Sequence, residues 1–152
     1  MSQLEPGVLK VPPELREQLT SGGAPEQFAD LVKRGFRREL DIIGALHRAG
    51  IPVVAGTDQA VPGYSVYREI ELYVEAGMTP QEALQAATIV PARVMKVEKE
   101  SGTVEAGKRA DFDILDANPL ENIHNIRTVK QVVANGILYE SAPLWRSAGF
   151  QP

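Results

Sequence analysis

The chain has 152 residues, about one domain's worth, with 43% apolar and 24% charged residues and a net charge of −4 from 16 basic and 20 acidic side chains. This composition argues against intrinsic disorder, and the acidic balance argues against a nucleic-acid partner. The lack of cysteine excludes disulfides, thiolate metal ligands and a cysteine nucleophile.

The N-terminal third is predicted to be mostly helical. Residues 1–24 contain many prolines and glycines, so we expect an irregular lead-in with one short helix over residues 14–19. Apolar residues then recur at three- and four-residue steps, which predicts an amphipathic helix over residues 25–49. Gly50 and Pro52 are its stop signals.

Residues 51–55 are a short apolar run rich in β-branched side chains. Such a run is typical of a strand buried on both faces of a parallel sheet. Gly56, Thr57 and Asp58 follow at its carboxyl end.

Three helices are predicted next. The first covers residues 65–76 and stops at Gly77. Residues 79–82 read Thr-Pro-Gln-Glu, a capping box with proline at the first helical position, which starts the second. Pro91 starts a short third helix that runs through Met95.

The pattern changes near Glu98 to short extended pieces and turns. Alternating residues at 111–114 predict a strand, and the valine-rich residues 129–134 are a second strand candidate. Asn135-Gly136 predicts a hairpin to a third strand at 137–139. Residues 141–152 contain the single tryptophan and show no clear pattern.

Asp58 is the sharpest candidate for chemistry. Folds with parallel strands place functional groups in the loops after the carboxyl ends of those strands, where Asp58 stands. The residues alone equally allow a structural role, in which the carboxylate caps the loop backbone.

The other candidates are better explained structurally. His47 lies within the long predicted helix, and His124 lies in a predicted loop, so we expect neither to be a metal ligand. Tyr64, Tyr67 and Arg68 follow the Asp58 loop and could line a pocket. Tyr67 also fits the apolar face of its helix, and Arg68 could form a surface pair with a nearby glutamate.

Three motifs occur in a recognisable order: residues 50–58, residues 75–88 with 91–93, and residues 102–112. Together they resemble the C-terminal part of the metal-dependent amidohydrolase superfamily, nearest to its imidazolonepropionase- and Xaa-Pro-dipeptidase-like branch. The resemblance covers residues 25–140. It implies an α/β fold, the last strand and flanking helices of a (β/α)8 TIM-like barrel plus part of a small β-sandwich.

The same resemblance divides the chain. Residues 1–97 would be the last α/β units of the barrel, residues 98–140 a segment of the sandwich, and residues 141–152 a tail. It also implies an enzyme that hydrolyses carbon–nitrogen bonds of amides or dipeptides with metal-activated water. Asp58 would be a metal ligand and the base that takes a proton from that water.

The remaining ligands of that family have no counterpart here. These are a His-x-His pair on the first barrel strand, a lysine or glutamate on the fourth, and histidines on the fifth and sixth. We therefore expect a divalent metal, zinc in most members, only if the missing barrel part is supplied, and we expect the isolated chain to be inactive. The alternative is a non-catalytic assembly or binding module derived from an amidohydrolase.

The expected partners follow from this interpretation. A small-molecule substrate is expected for the complete enzyme, and no membrane, because no run approaches the roughly 18 apolar residues of a span. An open edge of the 51–55 strand predicts self-association or a complementing N-terminal fragment. With no secretory signal visible at the start, we expect a cytoplasmic protein.

Overall fold

The computed structural model describes residues 5–21, 25–58 and 61–151, which form helices beside a small antiparallel sheet. The α-helices are α1 (Pro13–Ser21), α2 (Ala29–Arg48), α3 (Ser65–Glu75), α4 (Pro80–Ala86), α5 (Ile89–Val94) and α6 (Ser141–Ser147). Short 3-10 helices cover Pro6–Leu9, Glu26–Phe28 and Ile123–Arg127. Within these described ranges, no helix is both long and apolar enough to cross a bilayer.

The sheet confirms the predicted β unit. Its strands are β1 (Phe112–Leu115), β2 (Val129–Ala134) and β3 (Ile137–Glu140), paired antiparallel in the order β1-β2-β3. Asn135 and Gly136 join β2 to β3 with φ angles of 51° and 78°. Two positive φ values in a two-residue hairpin are those of the turn that Asn-Gly favours.

The predicted strand at residues 51–55 is wrong in the described structure. Residues 51–57, here called the 51–57 segment, belong to no helix or strand. A strand requires a hydrogen-bonded neighbour, and no other described segment forms a ladder with this one. Nor is the run buried on both faces: Val53 and Ala55 pack against the core, whereas Ile51 and Val54 are 49% and 39% exposed.

Helix α2 confirms the predicted amphipathic helix but turns an apolar face to solvent. Leu40 and Gly44 are its buried positions, and a Cβ on Gly44 would lie 2.2 Å from the carbonyl oxygen of Ala76. On another face lies an exposed set that we call the α2 stripe: Phe28, Leu31, Val32, Ile42 and Leu46. At 3.6 residues per turn, the four members on α2 fall within about 100° of one another and so line one side of the helix, and Phe28 is the N-cap residue just before it.

The predicted start of helix α4 is confirmed. The Thr79 hydroxyl accepts from the Glu82 amide at 3.2 Å, and the Glu82 carboxylate accepts from the Thr79 amide at 2.8 Å. This reciprocal pair satisfies two amides that a helix N-terminus leaves without partners.

One hydrophobic core joins the helices to the β unit. Its buried members are Ile70, Tyr73, Met78, Ala83, Ala86, Ile123 and Ile126. The last two come from the 3-10 helix at Ile123–Arg127, so side chains on both sides of the predicted boundary at residue 97 share this core. The division of the chain at residues 97 and 140 stays a prediction.

A second core joins the two ends of the described chain. Val8, Val11, Val61 and Tyr64 are buried there, with Trp145 and Phe150 packed against them. The Tyr64 and Trp145 rings stack 4.8 Å apart at an interplanar angle of 17°. The C-terminal residues, which show no pattern in the sequence, thus contain helix α6 and cover the N-terminal lead-in.

Candidate functional site

Asp58 lies at the end of the 51–57 segment and is exposed to solvent. Its φ of 42° is in the left-handed region, which aspartate tolerates better than most residues because its short side chain can bond locally. The carboxylate is therefore presented on a tight turn rather than packed into the core. Its role as metal ligand and base stays a prediction.

The backbone that leads to Asp58 is held at three consecutive residues. The Val54 carbonyl oxygen lies 3.3 Å from the Tyr73 hydroxyl oxygen, and the Ala55 amide donates to the Ala86 carbonyl at 2.9 Å. The Gly56 amide donates to both carboxylate oxygens of Glu69, at 3.0 and 3.1 Å. Helices α3 and α4 thus fix the segment in place of neighbouring strands.

Sequence reasoning missed Glu69 and Tyr73. Both lie on α3, four residues apart and so on one face of the helix. The Tyr73 hydroxyl donates to Glu69 Oε1 at 2.5 Å. Burial raises the pKa of Tyr73, and the Glu69 hydrogen bond raises it further, so the hydroxyl keeps its proton at neutral pH.

Of the three residues after Asp58 that could line a pocket, Tyr67 lines a cavity, whereas Tyr64 and Arg68 make structural contacts. Tyr64 is buried in the second core, and its hydroxyl donates to the Gln151 carbonyl at 3.2 Å. Burial raises the pKa of Tyr67 to about 12. Arg68 pairs with Glu75 at 2.8 Å and with Glu71 at 3.4 Å, which agrees with the ion-pair alternative.

The two histidines contact other carboxylates than that of Asp58. His47 Nε2 is 3.4 Å from Glu82 Oε1, between α2 and α4. His124 is predicted to lie in a loop, but it lies in the 3-10 helix at Ile123–Arg127. Its Nδ1 is 3.0 Å from Glu71 Oε1. Each ring thus has a carboxylate partner that is not Asp58.

A cavity of about 610 Å³ lies between α3, α4 and β1. Its lining includes Tyr67, Ile70, Leu84, Asp113 and Leu115 but not Asp58. A second cavity, of about 390 Å³, lies at the opposite end of the 51–57 segment, beside His47 and Glu82. Among the described residues, the Asp58 carboxylate is therefore not enclosed by either cavity.

The model of the amidohydrolase family matches residues 27–138, about three quarters of the chain. The chain belongs to the amidohydrolase family.

Individual relatives of this amidohydrolase-family chain match over part of their length. Imidazolonepropionase from Thermoplasma volcanium is 34% identical over 96 residues, which are 59% of this chain and 24% of that protein. Ochratoxinase from Aspergillus niger is 35% identical over 107 residues, 69% of this chain and 22% of that protein. The chain spans about a quarter of the length of these relatives.

Solved structures in the comparison give the same picture. A Xaa-Pro dipeptidase with bound methionine superposes with a TM-score of 0.61 and 32% identity, over 66% of this chain and 25% of the dipeptidase. Molinate hydrolase superposes with a TM-score of 0.60 and 29% identity, over 64% of this chain and 25% of the hydrolase. The predicted resemblance to the amidohydrolase family, near its imidazolonepropionase and Xaa-Pro dipeptidase branch, is confirmed.

Members of the amidohydrolase family generally use a divalent metal, and the described residues do not by themselves fit one. No group of three His, Cys, Asp or Glu side chains among residues 5–21, 25–58 and 61–151 converges as metal ligands do. A catalytic zinc site usually has three protein ligands. Asp58 could supply one of them, and at least one more would have to come from outside the described part of this amidohydrolase chain.

Proposed function

We propose that this chain forms the C-terminal part of a hydrolase that cleaves carbon–nitrogen bonds in small amides or dipeptides. The family match over residues 27–138 carries the proposal. The placement of Asp58 on an exposed turn, after a segment pinned by two helices, supports a chemical role for its carboxylate.

We propose that Asp58 acts as a general base in the assembled enzyme. Hydrolysis of an amide requires that water lose a proton as it attacks the carbonyl carbon and that the departing nitrogen gain one. A carboxylate within hydrogen-bond reach of the water can accept that proton and pass it to the nitrogen, which typically contributes about 10²- to 10⁴-fold to the rate. A divalent metal, zinc in this proposal, would bind only with further ligands.

Exposed apolar side chains support assembly with a larger barrel. The α2 stripe and the exposed Ile51 and Val54 form apolar surface at the helix and segment that the amidohydrolase resemblance places in the barrel wall. Exposed large apolar side chains gathered on one helix face are a candidate interaction surface. The 51–57 segment has no strand neighbour in the described structure, and a strand supplied by a partner would pair with it by replacing contacts to α3 or α4.

We therefore propose a complementing polypeptide that carries the preceding barrel strands. Sedimentation of the chain alone and with such a polypeptide tests this. We expect the chain alone to self-associate and to bind a dye for exposed apolar surface. We expect a defined heterodimer with little dye binding in the mixture. A clean monomer without dye binding would contradict the assembly proposal.

The catalytic proposal is tested in the assembled form. Hydrolysis of Xaa-Pro dipeptides and of N-acyl amides should appear only in the mixture, together with bound metal. Asp58→Asn should lower kcat by about 100-fold or more, because the amide cannot accept the proton. Asp116→Asn, which changes an exposed carboxylate beside Lys130, is the matched control and should leave kcat unchanged. Equal activity of the Asp58 variant and the parent chain would end the assignment.

A non-catalytic assembly module is the second candidate function. It is favoured by the lack of a three-ligand metal group among the described residues. Binding of the complementing polypeptide without metal uptake or turnover would support this function over the hydrolase.

A further inference from the structure

We infer that Glu69 is a positioning residue for Asp58. Its carboxylate accepts hydrogen bonds from the Tyr73 hydroxyl and from the Gly56 amide, and the bond to Gly56 fixes the turn on which Asp58 lies. This inference rests on the proposed function for its catalytic meaning. Its geometric part concerns only contacts within this chain.

The hydrogen bond from the Gly56 amide to the Glu69 carboxylate is a strong one. Both Glu69 oxygens lie within 3.1 Å of the Gly56 nitrogen, so the amide donates to a carboxylate on either oxygen. Hydrogen bonds to charged groups are about twice as strong as those between neutral groups. Helix α3 carries Glu69, and the core packing of α3 through Ile70 and Tyr73 makes it a firm support.

The Tyr73 hydroxyl holds the Glu69 carboxylate in position. The Tyr73 hydroxyl is 2.5 Å from Glu69 Oε1 and 3.3 Å from the Val54 carbonyl oxygen. Tyr73 is buried, so its ring cannot swing away without disturbing the core. The hydroxyl has one proton, and the shorter distance places it on Glu69, so Tyr73 holds the Glu69 carboxylate directly and contacts the Val54 carbonyl only at the longer distance.

The hydrogen bond between Gly56 and Glu69 lies close to Asp58 along the chain. Only Thr57 separates Gly56 from Asp58, and Asp58 has a left-handed φ of 42°. Even for aspartate, which tolerates this region better than most residues, the conformation costs free energy that the surroundings offset. The contact that fixes Gly56 is the described anchor nearest to this turn, so its loss should let Asp58 relax to a negative φ.

Nuclear magnetic resonance of the 152-residue chain tests the inference. A left-handed residue shows a strong NOE between its own amide and α protons, which gives a signature for Asp58. In Glu69→Ala we expect this signature to weaken and Gly56 amide exchange to accelerate by about tenfold or more, as for a lost hydrogen bond to a charged group. Glu69→Gln keeps one acceptor oxygen and should restore part of both signals.

Two matched variants complete the set. Glu75→Ala removes another carboxylate from α3, one that pairs with Arg68 rather than with the segment, and should change neither signal. Tyr73→Phe removes the hydroxyl that donates to Glu69 but leaves the Glu69 carboxylate. The exchange rate of the Gly56 amide should therefore rise less than in Glu69→Ala. The order of the Gly56 exchange rates in these variants distinguishes loss of the Gly56–Glu69 hydrogen bond from a general destabilisation of α3.

The outcomes decide as follows. A left-handed Asp58 that persists in Glu69→Ala, with faster Gly56 exchange, would make Glu69 a local backbone cap and overturn the inference. If Glu69→Ala unfolds, the Gln variant decides: a weaker Asp58 signature supports the inference, and unchanged signals overturn it. Hydrolysis unaffected by Asp58→Asn would remove the proposed function while leaving the geometric result in place.

Discussion

Arg127 forms a two-pronged ion pair with Glu5, which lies 122 residues earlier in the chain: Nη1 is 2.9 Å from Oε1 and Nη2 is 3.0 Å from Oε2. The same guanidinium donates to both oxygens of Glu71, at 2.5 and 3.0 Å. Glu5 and Glu71 are 4% and 3% exposed. One guanidinium therefore pairs with two buried carboxylates, with Arg68 as a second cation 3.4 Å from Glu71, and it ties the lead-in to α3 and to the 3-10 helix at Ile123–Arg127.

Arg127→Ala is expected to be strongly destabilising. It leaves Glu5 and Glu71 buried without this partner, and breaking a buried pair by removing one member costs about 3–5 kcal/mol. Urea denaturation measures the loss. Lys130→Ala is the control, because Lys130 and Asp116 form an exposed pair worth at most about 1 kcal/mol. Equal losses in the two variants would show that the Arg127 pairs contribute little.

The acid stability of the chain should depend on Glu71. Burial opposes the charge on this side chain, but hydrogen bonds from Arg127 and His124 outweigh burial and lower its pKa from the ordinary 4.5. The folded state thus binds this proton less readily than the unfolded state. The resulting stability is complete above pH 4.5 and is lost as the pH falls through the lowered pKa.

Denaturation at a series of pH values between 7 and 3 measures this dependence. Glu71→Gln should be less stable than the parent chain at pH 7, and the two free energies of unfolding should converge in acid. Glu105→Gln is the control: Glu105 also has a lowered pKa, set by Thr103 and Lys108, but it is exposed and should produce little convergence. Parallel curves for Glu71→Gln and the parent would rule out the linkage.

Signals that act within a few residues were predictable from the sequence. Thr79 and Glu82 cap their helix through bonds three residues apart, and Asn135 and Gly136 take the positive φ values that close a two-residue turn. Their physics is local, so the residue types suffice. The same reasoning placed α2, α3 and the three strands.

Features that depend on distant parts of the chain could not be predicted in this way. An apolar run such as residues 51–55 indicates a buried strand only if neighbouring strands are present, and the described structure pairs none with it. No local signal connects Glu5 with Arg127 or Tyr64 with Trp145. Glu69 reads as a surface glutamate on an amphipathic helix, and only the fold brings it to the amide of Gly56.

Asp113→Asn is expected to stabilise the chain at neutral pH. Burial raises the pKa of Asp113 from 3.8, on a strand where Val132 lies opposite and beside the cavity that Tyr67 lines. The folded state therefore binds this proton more readily than the unfolded state, and the charge costs stability above the raised pKa. The gain should stay below about 1 kcal/mol because the side chain keeps solvent contact.

The pH dependence of this gain has the opposite sign to that of Glu71. The difference between Asp113→Asn and the parent chain should vanish as the pH falls below 3.8, where both side chains are neutral. Asp116→Asn, an exposed carboxylate beside Lys130, should give no gain at pH 7. Loss of stability in Asp113→Asn at pH 7 would mean that the charge has a favourable partner.

Gly63 is expected to control the docking of Trp145. Its φ is 77°, and a Cβ at this position would lie 2.4 Å from the indole ring, so Gly63→Ala must displace the ring that stacks on Tyr64. Trp145 is the single tryptophan, so red-shifted fluorescence without denaturant would report its exposure. Gly107→Ala is the control, because Gly107 also has a positive φ, of 90°, but an added Cβ meets nothing within 4 Å. Both variants carry a backbone cost of about 1–2 kcal/mol, whereas the emission shift is expected only for Gly63→Ala. Unchanged emission in Gly63→Ala would show that Trp145 does not pack on this turn.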